Sequence, residues 1–299
     1  MDEMGSVTIV GAGPAGISAA IYLQRAGFEP LLLEEDVPGG LLRRAMVVEN
    51  YPGFPEGIAA TRLADLFCEH LQTLGGSVTK ASVDRLSRSD DGTYTVSTSV
   101  EEHLSRAVIV ATGTKAKIIA IEGLRAAEGH RVFYDLLKLL AIARAREKIV
   151  VYGGGDAAFD LGLNLSQRGH EVVILCRSRA HCLPLLRERA DQNSIRVVEG
   201  RSIVRVMDRK RFRLELEGME TIEADRLLIA CGREPRLDIL GPSLVGLLMS
   251  GDRTSVTGIP GLYLAGDVVA DGRRQVGIAI GSGLTAAMLA EQYLRKTLT

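Results

Sequence analysis

The sequence predicts an α/β fold built from two copies of one strand–helix–strand unit. Two glycine-rich turns, at residues 11–16 and 153–158, each follow a β-branched strand and precede a helix. Each copy later closes on a strand that ends in a similar tripeptide, Ala-Thr-Gly at residues 111–113 and Ala-Cys-Gly at residues 230–232. A repeat of this kind predicts two dinucleotide-binding (Rossmann-like, three-layer ββα) domains in a single chain.

The first turn has the spacing G-x-G-x-x-G between a strand at residues 7–10 and a helix. In such a turn Gly11 allows the tight bend, Gly13 leaves room for a pyrophosphate, and Gly16 lets the helix lie close to the strand. The helix N-terminus adds free N–H groups and partial positive charge. Glu34 ends the next strand, where an acid accepts the ribose hydroxyls of an adenosine.

The rest of the first copy alternates loops, a helix and strands. A glycine loop follows Glu34, and a proline-punctuated segment covers residues 49–55. Apolar residues at helical spacing predict a helix over residues 59–74. The predicted strands that follow cover residues 77–83, 94–99 and 107–110.

The second copy begins with a predicted helix over residues 136–146 and a strand over 148–152. A helix over residues 159–168 follows the second glycine turn. The remaining predicted strands cover residues 171–175, 195–198, 203–206, 211–216 and 226–232. A last strand at residues 259–264 leads to Asp267, and a glycine-rich helix is predicted over residues 277–294.

Two dinucleotide sites in one chain indicate electron transfer between a flavin and a nicotinamide. Asp267 follows the last strand, where an acid can hold the ribitol hydroxyls of a flavin. The N-terminus of the last helix can face the pyrimidine end of the flavin, which gains negative charge on reduction. We therefore expect a flavoprotein reductase with FAD in one domain and a nicotinamide nucleotide in the other.

These motifs together resemble the low-molecular-weight thioredoxin reductases, and the resemblance covers essentially the whole chain. It implies an NAD(P)H-binding domain (residues 116–234) inserted into an FAD-binding domain (residues 1–115 and 235–299). It also implies a homodimer, and a rotation of the inserted domain about hinges near residues 114–117 and 233–236. The segments that carry the resemblance are residues 11–16, 39–40, 49–53, 111–113, 153–158, 266–268 and 274–275.

The turns and the resemblance together predict the residues that bind each cofactor. The predicted FAD-binding residues are Gly11, Gly13, Pro14, Ala15, Gly16, Glu34, Glu35, Gly40, Leu41, Asn50, Val83, Ala111, Thr112, Gly113, Gly266, Asp267, Arg274, Gln275 and Val276. The predicted NAD(P)-binding residues are Gly153, Gly155, Asp156, Ala157, Ala158, Arg177, Ser178 and Arg179.

The chain departs from thioredoxin reductases at the redox-active dithiol. Those enzymes carry Cys-x-x-Cys just before the second glycine turn, and here the corresponding positions are Leu136 and Leu139. Leucine cannot form a thiolate or attack a disulfide. The sequence therefore predicts that this chain does not reduce thioredoxin by the usual relay. Type 2 ferredoxin/flavodoxin–NADP reductases are similar in architecture, also lack the dithiol, and carry a comparable second turn.

The cysteines leave alternatives open, because the chain has four of them, none at Cys-x-x-Cys spacing. Cys176 and Cys182 lie at either end of one loop and could be a relocated redox pair or simple packing residues. A disulfide reductase that uses thiols outside the usual motif is therefore one alternative function. A flavin- or nucleotide-binding sensor without turnover is another. No spacing predicts a metal site.

The loop after the strand at residues 171–175 bears on which nicotinamide nucleotide binds. An NADP site needs cations there, and Arg177, Ser178 and Arg179 follow the strand, which does not end in an acid. These cations favour NADPH, and NADH is the alternative nucleotide. The alternative interpretation of the arginines is an ordinary solvated loop without a ligand. We expect an FAD-dependent NAD(P)H oxidoreductase whose acceptor is a ferredoxin, a flavodoxin or a small molecule.

Composition and charge exclude other classes. The net formal charge of −1 argues against nucleic acid or an anionic membrane as a partner. No apolar run is long enough to span a bilayer. The sequence begins Met1-Asp2-Glu3 and soon enters a strand, a pattern that predicts no signal peptide and a cytoplasmic location.

Overall fold

The computed structural model describes residues 7–249, 257–269 and 272–297. Residues 1–6, on which the prediction about a signal peptide rests, lie outside this part of the chain. Two compact units make up the chain. Unit 1 comprises residues 1–115 and 234–299, and unit 2 comprises residues 116–233.

Short strands and helices alternate along the described residues. The strands are β1 (Val7–Val10), β2 (Leu31–Glu34), β3 (Val47–Val48), β4 (Ile58–Ala59), β5 (Val78–Lys80), β6 (Val83–Arg88), β7 (Tyr94–Thr98), β8 (Glu102–Ser105), β9 (Ala107–Val110), β10 (Thr114–Ala116), β11 (Val132–Phe133), β12 (Lys148–Tyr152), β13 (Glu171–Leu175), β14 (Arg196–Val198), β15 (Ile203–Asp208), β16 (Phe212–Leu216), β17 (Thr221–Glu223), β18 (Arg226–Ile229), β19 (Arg233–Pro235) and β20 (Leu262–Leu264). The helices are α1 (Pro14–Arg25), α2 (Ala60–Thr73), α3 (Leu136–Leu140), α4 (Asp156–Gln167), α5 (Pro184–Gln192), α6 (Pro242–Met249) and α7 (Val276–Thr297).

Unit 1 is built on a parallel sheet with the strand order β20-β9-β1-β2-β5. Side chains alternate between the two faces of a strand, and both faces of this sheet are buried. Ile9 and Ile109 pack with α1 and α7 on one face. Val10 and Val108 pack on the other face with residues of the antiparallel strands β6 and β7, around Tyr94. Unit 1 therefore has three layers: helices, the parallel sheet and the antiparallel sheet. Because β1, β2 and β9 are parallel, their carboxyl ends lie at the same edge of the sheet.

Unit 2 repeats this architecture with the parallel strand order β11-β18-β12-β13-β14. Ile149 and Val151 of the central strand pack against Phe159 of α4. Val150 and Tyr152 point to the opposite face and pack with the antiparallel sheet of β15, β16 and β17. The short pairs β3–β4 and β10–β19 form separate two-stranded sheets.

The single strand predicted over residues 77–83 is wrong, because the chain changes sheets there. β5 pairs with β2 as far as Lys80, and the N–H of Ala81 then donates to the carbonyl of Glu34 at 2.9 Å. β6 begins at Val83 and pairs with β7 instead.

The long helix predicted over residues 136–146 is also too long, because α3 ends at Leu140. Asp135 caps its N-terminus, with Oδ1 accepting the N–H of Leu137 at 2.9 Å. Beyond the helix, the carbonyl of Ile142 accepts a hydrogen bond from Nη2 of Arg226 at 3.1 Å. Arg146 has a φ of 58°, which no continuing helix allows. Contacts with Arg226 therefore replace the second half of the predicted helix.

Two leucine side chains of α3 point into the core of unit 2. Leu136 is 3% exposed and Leu139 is 0% exposed, and both pack with Phe133, Ile149 and other residues of that core. Leu137 between them is 44% exposed. The two positions predicted to correspond to the dithiol of thioredoxin reductases are therefore core positions in this chain.

A buried ion pair secures the segment that follows α3. Nε of Arg226 donates to Oε2 of Glu147 at 2.5 Å, and Nη2 donates to Oε1 at 2.9 Å. Nη1 of Arg226 also donates to the carbonyl of His130 at 2.6 Å. Because a buried charge is tolerated only when it is paired and hydrogen-bonded, these contacts fix the chain from residue 130 to residue 147 against β18.

Throughout residues 7–249, 257–269 and 272–297, the structure has no helix with the length and apolar character needed to cross a lipid bilayer.

We expect Leu139→Ala to lower the free energy of unfolding by about 2–5 kcal/mol, because it removes a fully buried side chain. Leu137→Ala is the matched control in the same helix and should change it by less than about 1 kcal/mol. Urea denaturation followed by circular dichroism measures both values. Equal effects of the two substitutions would show that α3 does not pack as the structure places it.

Candidate nucleotide-binding sites

The first glycine turn joins β1 to α1 in unit 1. The N–H of Gly11 donates to the carbonyl of Leu33 at 2.8 Å, and its φ of 104° favours glycine. A Cβ on Gly11 would overlap the carbonyl oxygen of Ala111, and a Cβ on Gly16 would overlap that of Gly11. Both positions therefore require glycine for the close packing of β1, β9 and α1.

Gly13 differs from those two glycines because there is free space where a side chain would project from it. It is the N-cap of α1, and no side chain caps that N-terminus. A Cβ built on Gly13 would meet no atom within 4 Å. An uncapped helix N-terminus beside open backbone is a good site for a phosphate group, so this turn fits the pyrophosphate of FAD.

Glu34 is held beside this turn at the end of β2. Its Oε2 accepts the N–H of Ala12 at 2.8 Å, and its Oε1 accepts the N–H of Asp36 at 2.9 Å. Each carboxylate oxygen retains a further lone pair that can accept a ribose hydroxyl. Val83 starts β6 nearby, half-buried, and packs on the cluster that contains Val10.

The glycine loop after β2 lies against the first turn. The N–H of Gly39 donates to the carbonyl of Ala12 at 2.7 Å. A Cβ on Gly40 would lie 3.2 Å from the Cα of Gly13, and its φ is 56°. Gly40 and Leu41 open a 3₁₀ turn that ends at Arg44. The loop therefore presents bare backbone next to the position predicted for the pyrophosphate.

Residues far apart in the sequence complete this side of unit 1. Nδ2 of Asn50 donates to Oε1 of Gln275 at 2.7 Å. Val276, the first residue of α7, packs with Leu42 and its neighbours. Arg274 lies two residues before Val276, and the N–H of Arg274 donates to the carbonyl of Gly272.

The last strand brings a further glycine to the first turn. A Cβ on Gly266 would lie 2.8 Å from the Cβ of Ala15. The N–H of Gly266 donates to Oγ of Ser282 at 2.6 Å. Asp267 follows in the same 3₁₀ turn. The structure thus gathers most of the residues predicted to bind FAD around one edge of the unit 1 sheet.

Arg236 is a residue of this site that sequence reasoning missed. Its guanidinium binds both carboxylate oxygens of Glu35, with Nη2 at 2.7 Å from Oε2. Its carbonyl accepts the hydroxyl of Thr112 at 2.5 Å, and its N–H donates to the carbonyl of Gly113 at 3.0 Å. Arg236 thus ties the end of β9 to the end of β2. No local pattern distinguishes it from the many other arginines of the chain.

The second glycine turn reproduces the first almost bond for bond. The N–H of Gly153 donates to the carbonyl of Leu175 at 3.0 Å, as Gly11 does to Leu33. A Cβ on Gly153 would overlap the carbonyl oxygen of Ala230, the counterpart of Ala111. Gly155 corresponds to Gly13 and is the uncapped N-cap of α4. Asp156, Ala157 and Ala158 begin α4, and Ala158 is buried.

The second turn lacks an acid at the strand end. By this correspondence Cys176 occupies the place of Glu34, and its thiol donates to the carbonyl of Gly153 at 3.3 Å. Arg177, Ser178 and Arg179 follow and are exposed. Within the described ranges, no carboxylate pairs with the guanidinium of Arg177 or Arg179.

The loop that begins with these residues folds back on the second turn. The N–H of His181 donates to the carbonyl of Gly154 at 2.8 Å. The N–H of Leu183 donates to Oδ1 of Asp156, also at 2.8 Å. Asp156 therefore fixes the loop through its side chain. No pattern in the sequence predicts a role for His181, which lies beside Cys182.

None of the four cysteines has the character of a reactive thiol. All four are free. Burial raises the pKa of the Cys176 thiol to about 11, and it also raises the pKa of Cys68, Cys182 and Cys231. Because the thiolate is the nucleophile, a raised pKa leaves little of the reactive form at neutral pH.

Comparison with known proteins gives matches over nearly the whole chain. The family of pyridine nucleotide-disulphide oxidoreductases matches residues 5–283. A thioredoxin reductase from Chlamydia pneumoniae is 32% identical over 312 residues, which cover 96% of this chain and 97% of the relative. The structure of a Lactococcus lactis thioredoxin reductase has a TM-score of 0.86 at 27% identity, covering 97% of this chain and 99% of that one. The T. acidophilum enzyme has a TM-score of 0.87 at 26% identity, covering 99% and 100%.

These matches confirm the predicted α/β fold with two Rossmann-type units and the predicted resemblance to thioredoxin reductases. They also confirm the predicted cofactors, FAD and NADPH, since members of the thioredoxin reductase family bind FAD and use NADPH.

We expect Gly13→Ala to abolish FAD binding while leaving the fold intact. The Cβ has free space in the protein, and the φ of −74° suits alanine, so any loss must come from a clash with the pyrophosphate. The flavin content of the purified protein and the thermal unfolding of the flavin-free forms measure the two effects. A variant that retains one flavin per chain would show that the pyrophosphate lies elsewhere.

Proposed function

Because the chain belongs to the pyridine nucleotide-disulphide oxidoreductase family, we propose that it is an FAD-dependent NADPH oxidoreductase without a dithiol of its own. Bound FAD supplies the redox chemistry, since it accepts hydride from the nicotinamide and passes electrons to an external acceptor. The observation that carries the proposal is the burial of Leu136 and Leu139 in the core of unit 2. Those are the positions from which a dithiol would otherwise act.

We assign FAD to unit 1. The open face of Gly13 and the uncapped N-terminus of α1 would receive the pyrophosphate. Glu34, already oriented by two backbone N–H groups, would accept the hydroxyls of the adenosine ribose. The hydrogen bond between Asn50 and Gln275 supports a shared role for the segment before α7 and the loop after β3. Asp267 would hold the ribitol chain.

We assign NADPH to unit 2. An NAD site favours an acid at the end of the second strand, and this chain has Cys176 at that position. Arg177 and Arg179 follow it directly, exposed and without a carboxylate partner in the described part of the chain. Unpaired guanidinium groups at this place suit the 2′-phosphate of NADPH, which they can bind through charge-assisted hydrogen bonds.

The thiols of the chain do not offer an alternative relay. A substitute for the missing dithiol would need two accessible cysteines, at least one of them with a lowered pKa. Cys176 is 1% exposed, and burial raises its pKa to about 11. Burial also raises the pKa of Cys182, the other member of the candidate pair. These properties disfavour a disulfide reductase that uses thiols outside the usual motif.

The acceptor must therefore take electrons from the flavin itself. The relatives that match are named thioredoxin reductases, but reduction of thioredoxin by the usual relay needs a dithiol that this sequence lacks. A ferredoxin, a flavodoxin or a small-molecule acceptor fits this requirement, because none of them needs a thiol on the reductase. In this role the chain positions its two nucleotides and excludes side reactions.

We also infer that the chain forms a homodimer. In α7, the side chains of Ile278, Leu284 and Met288 are 48%, 37% and 46% exposed. They lie on the side of the helix opposite its buried alanines. Large apolar side chains grouped on one exposed helix face are typical of a subunit interface.

We expect the Arg177→Ala/Arg179→Ala variant to need roughly tenfold more NADPH for half-maximal flavin reduction, because it loses charge-assisted hydrogen bonds. The NADH concentration that this variant needs for half-maximal flavin reduction should change little, since NADH has no 2′-phosphate. Anaerobic stopped-flow spectrophotometry of the flavin absorbance measures both.

Arg187→Ala is the matched control, because Arg187 is already engaged by Glu199 and Asp191. It should resemble the wild type. Slow reduction of the wild type by both nucleotides, with normal reduction by dithionite, would contradict the proposed function.

A further inference from the structure

The loop after β13 brings a histidine onto the second glycine turn. A Cβ built on Gly155 would lie 3.1 Å from Nε2 of His181, and one built on Gly154 would lie 3.6 Å from its Cε1. The imidazole therefore stands on the side of Gly155 on which, in such turns, the nucleotide pyrophosphate approaches the backbone.

Unit 1 provides an internal comparison for this arrangement. The N–H of Gly39 donates to the carbonyl of Ala12, just as the N–H of His181 donates to the carbonyl of Gly154. Gly39 and His181 thus occupy equivalent places, and Gly13 is the equivalent of Gly155. In unit 1 no atom lies within 4 Å of a Cβ on Gly13. The imidazole beside Gly155 is therefore an addition of unit 2 and not a requirement of the turn.

The imidazole has no structural task that would explain its position. Among the residues that the structure describes, neither ring nitrogen of His181 has a hydrogen-bond or ion-pair partner. The residue is exposed. Its backbone, by contrast, is fixed to the turn by its own N–H and by the bond from the N–H of Leu183 to Asp156. The backbone of His181 is thus held at the turn, and its ring nitrogens are available to a ligand.

The second turn carries a negative charge that the first turn lacks, and an additional hydrogen-bond donor would offset its effect on a bound phosphate. α1 has no acidic residue in its first turn, whereas α4 begins with Asp156. A carboxylate at a helix N-terminus competes with an incoming phosphate for the positive end of the helix dipole. A neutral imidazole carries one N–H donor, and a hydrogen bond to a charged phosphate oxygen is stronger than one to a neutral group.

We propose that His181 is a nucleotide-binding residue whose imidazole donates a hydrogen bond to the pyrophosphate of the nicotinamide dinucleotide. This inference rests on the proposed assignment of NADPH to unit 2. His181 would secure the diphosphate next to Gly155, while Arg177 and Arg179 would bind the 2′-phosphate. It takes no part in hydride transfer, so it should affect nucleotide affinity and not the limiting rate of flavin reduction.

The test compares NADP⁺ binding to the flavin-loaded wild type, His181→Phe and His181→Gln by isothermal titration calorimetry. We expect His181→Phe to weaken binding roughly tenfold or more, because it removes a hydrogen bond to a charged group. His181→Gln retains an N–H donor and should recover most of the affinity. His70→Phe, at an exposed histidine of α2, is the control and should bind as the wild type does. Stopped-flow reduction by NADPH should give an unchanged limiting rate in His181→Phe.

Two results would overturn this inference alone. Equal affinity of His181→Phe and the wild type would show that the ring does not contact the nucleotide. Tighter binding by His181→Phe would show that the ring obstructs the site. If the wild type itself fails to bind NADP⁺, the assignment of NADPH to unit 2 fails, and this inference fails with it.

Discussion

Both units depend on the close approach of a turn glycine to the end of the neighbouring strand. Gly11 packs on the carbonyl of Ala111 and Gly153 on that of Ala230, with no room for a Cβ at either glycine. This contact joins two parallel strands at the point where the following helix begins, so it aims the helix N-terminus at the sheet edge. The residues predicted to bind FAD in unit 1 gather around this point. The loop that carries Arg177 and His181 meets the equivalent point in unit 2.

Leu136 and Leu139, at the positions predicted to correspond to the dithiol of thioredoxin reductases, belong to the core of unit 2. A reactive dithiol must stand where a thiolate can form and meet its partner. The leucines at these positions instead lie in the apolar core, and Arg226 binds Ile142 and Glu147 in the chain that follows them. In the function we propose, this segment is a structural element and takes no part in electron transfer. The electron path we propose therefore ends at the flavin and continues only in an external acceptor.

Patterns of residues close together in the sequence predict those turns and strands whose conformation is set by neighbouring residues. Both glycine turns, their flanking strands and Glu34 follow from residue types at fixed spacings, and the structure places them as expected. The early end of α3 depends on Arg226, which lies far away in the sequence, so periodicity alone extends the helix too far. Arg236 and His181 act through contacts made by folding, and a single arginine or histidine carries no spacing signal. Comparison of the two glycine turns shows that unit 2 has an imidazole beside Gly155, whereas unit 1 has no side chain beside Gly13.

An anaerobic titration with dithionite, a two-electron reductant, tests the central claim most directly. A flavoprotein without a redox dithiol should lose its visible flavin absorbance completely with about one equivalent per flavin and take up no more. An enzyme with an active dithiol should take up about two equivalents, because its disulfide accepts a further electron pair. A first equivalent consumed before the flavin bleaches, or a second consumed afterwards, would contradict the account and reveal a redox-active thiol pair among the four cysteines.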